Sequence, residues 1–353
     1  MSSTTQQALI IPSPKAPFVV GSLPVPVPLP GQVRVKIMSV GLNPMNNFQH
    51  RMDLFMPVYP AVIGADISGV VDEVGEGVQG FEKGDEILVQ AIYGGFQQYT
   101  VVPAATLIRK PKNINFDEAA TFPITFTTAC VGLLAPEPIG LCLNPSISWD
   151  KPQKGQSALV IGGGSSVGQF AIQLLEFLGF TRIVVYASNT HFDYLKTLGA
   201  TEFIDRKEVP VESIAHVMKP AVHVVYDSTG AVDAAVDSVV DGGKVATSIP
   251  TAKPSRDFES RGITFNSHTG LYAGPDVMKP VGDPALHLGR LEHTEFGRIL
   301  IRELPKLIEQ SVVVGNRVEI VLNGLAGVPD ALDRISVGAV RGVKLVAHPQ
   351  YSV

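Results

Sequence analysis

The chain has 353 residues, of which 45% are hydrophobic and 17% are charged, and its formal net charge at pH 7 is −5. This composition predicts a large core with room for two domains, and an acidic chain without a basic block is not expected to bind nucleic acid. The apolar, uncharged stretch 119–136 holds four threonines, so it is not expected to span a membrane. Two cysteines and a polar N-terminus without a signal-peptide pattern indicate a cytoplasmic protein with no disulfide framework.

The first third of the chain indicates a small β domain. Residues 24–31 are proline-rich and predict an extended lead-in, and the alternation of Val33, Val35 and Ile37 with charged residues predicts a half-buried strand. Short apolar runs separated by glycines follow as far as position 102, which is typical of a highly turned β structure.

The next segments connect this domain to a second one. Residues 125–134 predict a long, buried helix, preceded by an acidic helix start at Asp117 and Glu118. Residues 136–155 contain four prolines and Trp149, the only tryptophan, and are interpreted as a surface insertion.

The stretch from position 158 to 179 is the strongest motif. Four apolar residues, 158–161, suit a buried parallel strand, three glycines follow at 162–164, and apolar residues then recur at helical spacing as far as Leu178. Strand, glycine turn and helix start together predict a pyrophosphate cradle. If Gly163 and Gly168 are the first and third positions of a G-x-G-x-x-G pattern, the second is Ser165, whose N–H and hydroxyl can both face phosphate. A glycine turn that binds no ligand is the alternative.

The remaining chain alternates strands and helices. Strands are predicted at 182–186, 202–205, 222–227 and 244–249, which implies a doubly wound parallel sheet of an α/β protein. Ligands bind such sheets at the carboxyl ends of the strands, which singles out 186–191, Ser228, Thr229 and 248–250. A further helix is predicted at 294–310, and a turn and strand at 338–347.

The nicotinamide specificity is predicted from the segment after the second strand of this sheet. An NAD site usually carries an acid there to bind the ribose 2′-hydroxyl, but positions 183–192 contain none. Ser188, Asn189, Thr190 and His191 offer hydrogen bonds to a 2′-phosphate, and Arg206 can approach from the next loop. We therefore expect NADP(H). An ordinary polar helix cap is the alternative.

Several spaced motifs resemble those of the medium-chain dehydrogenase/reductase superfamily. They comprise Gly64, Asp66 and Gly69, then Gly84 and Asp85, the glycine cradle, Leu198 to Ala200, Val225 to Asp227, and Gly242 and Gly243. Details such as Leu42 to Pro44 and Lys344 to Val346 are most similar to its fungal zinc-independent branch, which includes quinone-oxidoreductase-like proteins and trans-acting enoyl reductases. The resemblance implies a GroES-like β-barrel domain at 1–124 and 269–353, and a Rossmann NADP-binding domain at 125–268.

The resemblance, together with the cradle and the strand ends, also assigns the site residues. Cofactor binding is assigned to Asn43, Pro44, Asn46, Thr128, Gly163, Gly164, Ser165, Ser166, Val167, Gly168, Ser188, Asn189, Thr190, His191, Arg206, Thr229, Ser248, Ile249, Val340 and Arg341. Substrate contacts are assigned to Phe48, Thr125, His268 and Thr269. Enoyl reductases of this branch often have lysine where this chain has Phe48, which favours an apolar substrate pocket.

The expected chemistry is hydride transfer without a metal. Zinc-dependent members place cysteine near 42–44 and His-Glu where this chain has Ala65 and Asp66, so no metal is expected. Reduction of an activated C=C bond needs no Lewis acid, because hydrogen-bond donors stabilise the enolate oxygen. Asn43 and Tyr59 are the candidate catalytic residues, with Tyr59 as proton donor or enolate ligand; a tyrosine that only packs in front of Pro60 is the alternative. His50, His268 or water are alternative proton donors.

These observations favour an NADPH-dependent reductase of enones, enals or enoyl thioesters. An NADPH quinone oxidoreductase is the second interpretation, and an NADPH-binding protein without turnover is the third. The partners expected are a small-molecule substrate and, from the habit of the family, a second copy in a homodimer.

Overall fold

The computed structural model describes residues 4–351 apart from 55, 57, 92, 251 and 269–290, and for 291–294 it describes only the backbone. The chain divides into two compact units. The first unit comprises Met1–Ile124, Ala273–Glu309 and Gly315–Val353, and the second comprises Thr125–Tyr272 and Gln310–Val314.

Strands predominate as far as Arg109, and helices and strands largely alternate after it. The strands are β1 Thr5–Ile10, β2 Val19–Pro24, β3 Gln32–Gly41, β4 Asp66–Val74, β5 Glu86–Gln90, β6 Tyr99–Pro103, β7 Ile108–Arg109, β8 Ser157–Ile161, β9 Arg182–Ala187, β10 Glu202–Asp205, β11 Val222–Asp227, β12 Val239–Thr247, β13 Thr264–Ser267, β14 Val318–Ile320 and β15 Lys344–Ala347. The helices are α1 Pro44–Met52, α2 Phe116–Ala119, α3 Pro123–Leu134, α4 Ser166–Leu178, α5 Phe192–Thr197, α6 Ile214–Val217, α7 Val232–Ser238, α8 Leu291–Glu309 and α9 Val328–Ser336.

The second unit is built on a six-stranded parallel sheet with the order β10-β9-β8-β11-β12-β13. This order confirms the predicted doubly wound parallel sheet. The order in which strands are added to the sheet reverses between β8 and β11. At such a switch point the carboxyl ends of the strands leave a crevice for a ligand. β8 is buried along its whole length, as its uninterrupted apolar sequence requires.

The first unit contains a mixed sheet with the order β14-β15-β3-β4-β5-β7, with β6 also paired to β3, and a separate β1–β2 hairpin. In β3 the residues alternate between buried and partly exposed positions, as predicted from Val33, Val35 and Ile37. The C-terminal strand β15 pairs antiparallel with β3, so that Val346 lies opposite Gly41. This pairing brings Lys344 from the end of the chain close to residues 41–66.

The predicted surface insertion at 136–155 is only partly at the surface. Leu141 and Ile147 are buried in its first half, whereas 149–152 are exposed, with Trp149 lying edge-on to Phe177 at a centroid distance of 5.4 Å. Composition alone did not show which half of this segment is buried. None of the helices in the described ranges combines the length and hydrophobicity needed to cross a bilayer.

Candidate active site

The glycine cradle lies in the second unit where β8 ends and α4 begins. Gly162 has a φ of +81°, a conformation that favours glycine, and its N–H donates to the carbonyl of Tyr186 at 3.0 Å. Ser165 is the N-cap of α4, and its Oγ accepts from the N–H of Gly168 at 2.9 Å. The same oxygen lies 2.9 Å from the Oγ of Ser228 at the end of β11. The Ser165 hydroxyl thus secures the turn, a use that the sequence did not reveal.

The glycines of this turn have no side chains, so its backbone can pack closely and can be approached closely by a dinucleotide. A Cβ on Gly168 would lie 2.4 Å from the carbonyl oxygen of Gly162, and one on Gly163 would lie 2.2 Å from Cγ1 of Val185. The helix start therefore packs directly against the strand end, and its N-terminus offers a positive dipole end. A Cβ on Gly164 would lie 3.1 Å from the His191 ring, which places His191 beside the turn. These residues fit the pyrophosphate of a dinucleotide cofactor.

The segment predicted to hold the 2′-phosphate forms one polar group. Ser188 follows β9 and Arg206 follows β10, and the parallel pairing of these strands brings the two residues together. The Nε of Arg206 donates to the Oγ of Ser188 at 2.7 Å, while Asn189 and Thr190 are exposed beside them. The guanidinium supplies positive charge, and Ser188 is not an acid. This arrangement fits a phosphate on the adenosine ribose.

A buried carboxylate that sequence analysis did not assign shapes the turn after β11. Asp227 accepts hydrogen bonds from the backbone N–H and the hydroxyl of Thr229, from the N–H of Gly230 and from the hydroxyl of Thr247, all between 2.8 and 3.0 Å. It thereby fixes Thr229, a predicted cofactor residue. An aspartate two residues before a threonine and three before a glycine is typical of an Asx turn, and that signal could have identified it. Ser248 and Ile249 follow the neighbouring strand β12.

His268 lies deep in the second unit rather than at its surface. Its Nε2 is 3.2 Å from the hydroxyl of Tyr226, and burial lowers the pKa of the imidazole to about 4. The ring packs so closely on α3 that a Cβ on Gly132 would lie 2.3 Å from it. His268 is therefore neutral at physiological pH and carries no ready proton for general acid catalysis. Thr125 and Thr128 are buried on the same helix, and Thr269 lies outside the described residues.

In the first unit, Asn43 is the centre of a buried polar cluster. It is the N-cap residue of α1, and its side-chain amide donates to Oδ2 of Asp66 at 2.9 Å while its carbonyl accepts from Nζ of Lys344 at 2.6 Å. Asn46 is fully buried and its Oδ1 accepts from the N–H of Asn43 at 2.9 Å. Both asparagine side chains are thus committed to bonds within the first unit, and Pro44 fills the first position of α1.

Tyr59 is bonded to the residue that terminates α1. Its hydroxyl donates a short hydrogen bond to a carboxylate oxygen of Asp53, which has left-handed backbone angles at the C-terminal end of the helix. Burial, this hydrogen bond and the negative charge of Asp53 raise the pKa of Tyr59 to about 12. The phenol therefore keeps its proton throughout the neutral range.

The other predicted residues of the first unit have different surroundings. Phe48 is half exposed on α1. His50 is 2.8 Å from the carbonyl of Ala16 through Nε2, and its ring lies against Phe18 with centroids 4.1 Å apart. Val340 packs against the core of this unit, and Arg341 is exposed with its Nε donating to the carbonyl of Gly338 at 3.1 Å.

The segments where the resemblance places a catalytic metal do not fit a zinc ion. In the described ranges, no group of three or more His, Cys, Asp or Glu side chains is arranged to hold a metal. Asp66 is fully buried, and its two oxygens accept hydrogen bonds from Lys344, Asn43 and the N–H of Ile124. A lysine ammonium 2.7 Å from the carboxylate opposes the binding of a second cation there.

Comparison with known proteins gives matches along almost the whole chain. Residues 29–112 match the family model of the alcohol dehydrogenase GroES-like domain, and residues 166–269 match that of the zinc-binding dehydrogenases. The chain is 32% identical to the trans-enoyl reductase tndF of Aspergillus flavipes, across 96% of this chain and 98% of that protein.

Two further matches extend the comparison. The chain is 30% identical to the chloroplastic NADPH-dependent alkenal/one oxidoreductase of Arabidopsis thaliana, across 72% of this chain and 64% of that protein. Among solved structures, an alcohol dehydrogenase superfamily protein from Novosphingobium aromaticivorans superposes with a TM-score of 0.78 at 26% identity, across 97% of this chain and 98% of the other.

Proposed function

Because the protein belongs to the medium-chain dehydrogenase/reductase superfamily, we propose that it is an NADPH-dependent reductase of activated C=C bonds in small molecules such as enones, enals and enoyl thioesters. The observation that carries this proposal is the full-length similarity to a trans-enoyl reductase, which is joined by the similarity to an alkenal/one oxidoreductase.

The cofactor is held by the second unit in this proposal. The turn from Gly163 to Gly168 receives the pyrophosphate at the N-terminus of α4, and Ser188 with Arg206 receives the 2′-phosphate. The guanidinium of Arg206 places positive charge beside Ser188, so we expect a preference for NADPH over NADH. Thr229, fixed by Asp227, and Ser248 line the carboxyl ends of β11 and β12, where a dinucleotide continues.

The reduction requires a hydride and then a proton. Bound NADPH supplies the hydride to the β-carbon of the substrate. The substrate oxygen then carries negative charge, and the chain must hold that charge or deliver a proton to the α-carbon. We assign this part to Tyr59, whose high pKa keeps its hydroxyl protonated. Neutral His268 is not assigned the proton transfer.

The substrate side of the site is proposed to be apolar. Phe48 and Met52 lie one helical turn apart on α1 and are each about half exposed, at 51% and 56%. These two side chains form an apolar face on the helix whose N-cap is Asn43. Such a face favours a substrate with an alkyl or acyl tail over a small charged substrate.

The decisive experiment is a steady-state assay of NADPH oxidation with a crotonyl thioester, a series of enals and enones, and a naphthoquinone, with identification of the products. We expect saturated carbonyl products and activity that is unaffected by a zinc chelator. Turnover of the quinone alone would replace this proposal with a quinone reductase. Tight NADPH binding without turnover of any substrate would refute an enzymatic role.

Two further properties belong to the same proposal. β13 is the outermost of the described strands on its side of the parallel sheet, and we propose that it supports a homodimer, as measured by light scattering after gel filtration. We also propose a cytoplasmic location, supported by two cysteines that are both free; cell fractionation tests it.

A further inference from the structure

A buried ionic cluster in the first unit surrounds Asn43, one of the candidate catalytic residues. Lys344 of β15, Asp66 of β4 and Asn43 at the start of α1 meet in the interior, with exposed fractions of 3%, 0% and 2%. The Nζ of Lys344 donates to Oδ2 of Asp66 at 2.7 Å and to Oδ1 of Asn43 at 2.6 Å. We call these three residues the lysine triad.

The hydrogen bonds of the lysine triad define the orientation of the Asn43 amide. The ammonium can only donate and the carboxylate can only accept, so the carbonyl of Asn43 must face Lys344 and its NH₂ must face Asp66. Rotation of the amide would bring two donors together and two acceptors together. One N–H of the amide is not used by Asp66.

Asp66 also binds the start of α3. Its Oδ1 accepts from the N–H of Ile124 at 2.7 Å, in the first turn of that helix, where N–H groups lack partners within the helix. A carboxylate at this position complements the positive end of the helix dipole. Thr125 follows directly and Thr128 one turn later, both of which are assigned to the nicotinamide and substrate. The same carboxylate therefore fixes Asn43 and the first turn of the helix that carries these threonines.

A contribution to stability alone does not account for this arrangement. Two charges are costly to desolvate, and apolar residues of similar volume often replace a buried ion pair without loss of stability. Lys110 provides a contrast within the same unit. Its side chain is also nearly buried, but its ion-pair partner Glu86 is half exposed, and its ammonium otherwise binds the carbonyls of Pro111 and Ile114. None of those groups is a predicted site residue.

We propose that Lys344 and Asp66 are positioning residues that hold the Asn43 side chain and the first turn of α3 in the arrangement that hydride transfer requires. This inference rests on the proposed reductase function. Asn43 is the residue that meets the reactants, and Lys344 acts only through it and through Asp66.

The test compares Lys344→Met with Lys110→Met in the full-length protein. For each variant we would measure kcat, the KM for NADPH and for a crotonyl thioester, and the primary isotope effect with NADPH deuterated at the transferred position. We expect Lys344→Met to lower kcat by about 100-fold, because small displacements at a reacting site cost that much, and to increase the isotope effect. The KM for NADPH should change less than threefold. Lys110→Met should leave kcat and the isotope effect unchanged.

A lone buried carboxylate can prevent folding, so the double variant Lys344→Met/Asp66→Asn, which has no net change of charge in the interior, accompanies the single one. We expect it to fold and to be as slow as Lys344→Met. Wild-type kcat in either variant, or a loss of activity that matches the loss of folded protein with an unchanged isotope effect, would overturn the inference. Failure of the proposed function is distinguished by the wild-type protein, which would then reduce no enoyl substrate.

Discussion

The glycine cradle and the lysine triad differ in the charges that they accommodate. The cradle is built almost entirely from backbone between Ile161 and Gly168, and it prepares a place for an anion that comes from outside. The triad is built from side chains of three distant segments, and it neutralises its own charges internally. The contrast shows that a site formed by consecutive residues leaves a pattern in the sequence, whereas a site assembled by strand pairing leaves only separate polar residues.

The largest effect is expected from a side chain added at Gly168 in the glycine cradle. In Gly168→Ala the new Cβ would lie 2.4 Å from the carbonyl oxygen of Gly162, so the backbone of the turn must move. We expect a loss of about 3 kcal/mol in stability and at least a 100-fold loss of NADPH affinity. Gly164→Ala is the matched control in the same turn, because its Cβ would meet only the edge of the His191 ring at 3.1 Å. Fluorescence titration with NADPH and thermal unfolding measure both. Equal affinities for the two variants would contradict the packing role of Gly168.

The second effect concerns His268, a buried residue of the second unit whose environment depends on distant segments. The pKa of His268 falls from 6.5 to about 4 on folding, so below pH 6.5 the unfolded chain binds more protons at this residue than the native protein. Stability should therefore decrease as the pH falls, by about 2 kcal/mol between pH 6.5 and 5 from this residue. In His268→Gln this part of the slope should disappear. Urea unfolding at several pH values measures it, and parallel slopes for both proteins would show that folding does not lower the pKa of His268.

The third effect concerns Arg206 and the KM for NADPH. Arg206→Ala removes a charged hydrogen bond to the proposed 2′-phosphate, so the KM for NADPH should rise about 10- to 30-fold while that for NADH stays constant. Arg182→Ala serves as control, because Arg182 lies at the opposite end of β9, where it pairs with Glu202. Steady-state kinetics with NADPH and with NADH measures both KM values. An equal rise in the KM for NADH would place Arg206 outside the phosphate site.

The smallest effect concerns a local contact in the first unit. Asp53→Asn removes a negative charge and a strong acceptor from the Tyr59 hydroxyl, so the pKa of Tyr59 should fall from about 12 toward 10. The decrease should be less than two units, because burial, which is the larger cause, remains. The ultraviolet difference spectrum of tyrosinate measures it, with Tyr59→Phe identifying the signal. An unchanged titration would show that Asp53 does not hold this hydroxyl.

Sequence patterns predicted those features that depend on neighbouring residues. The run 158–161, the glycines and the apolar periodicity that follows were sufficient for β8, the turn and α4, because strand, turn and helix each have a short repeat. The order of strands and helices was also sufficient for the parallel sheet. The use of the Ser165 hydroxyl as the cap of α4 is equally local, because Gly168 lies three residues away, although we expected that hydroxyl to face phosphate.

The amino-acid sequence by itself determined the α/β fold class, the glycine turn between β8 and α4 and the lack of an acid at 183–192, since these follow from local periodicity and residue chemistry. Only the tertiary structure decided that 139–147 is largely buried, that His268 is neutral, and that Lys344 meets Asp66 and Asn43. The physical reason is that burial and ion pairing depend on which distant strands become neighbours. Lys344 and Asn43 are separated by 301 positions in the chain, and the pairing of β15 with β3 brings them together.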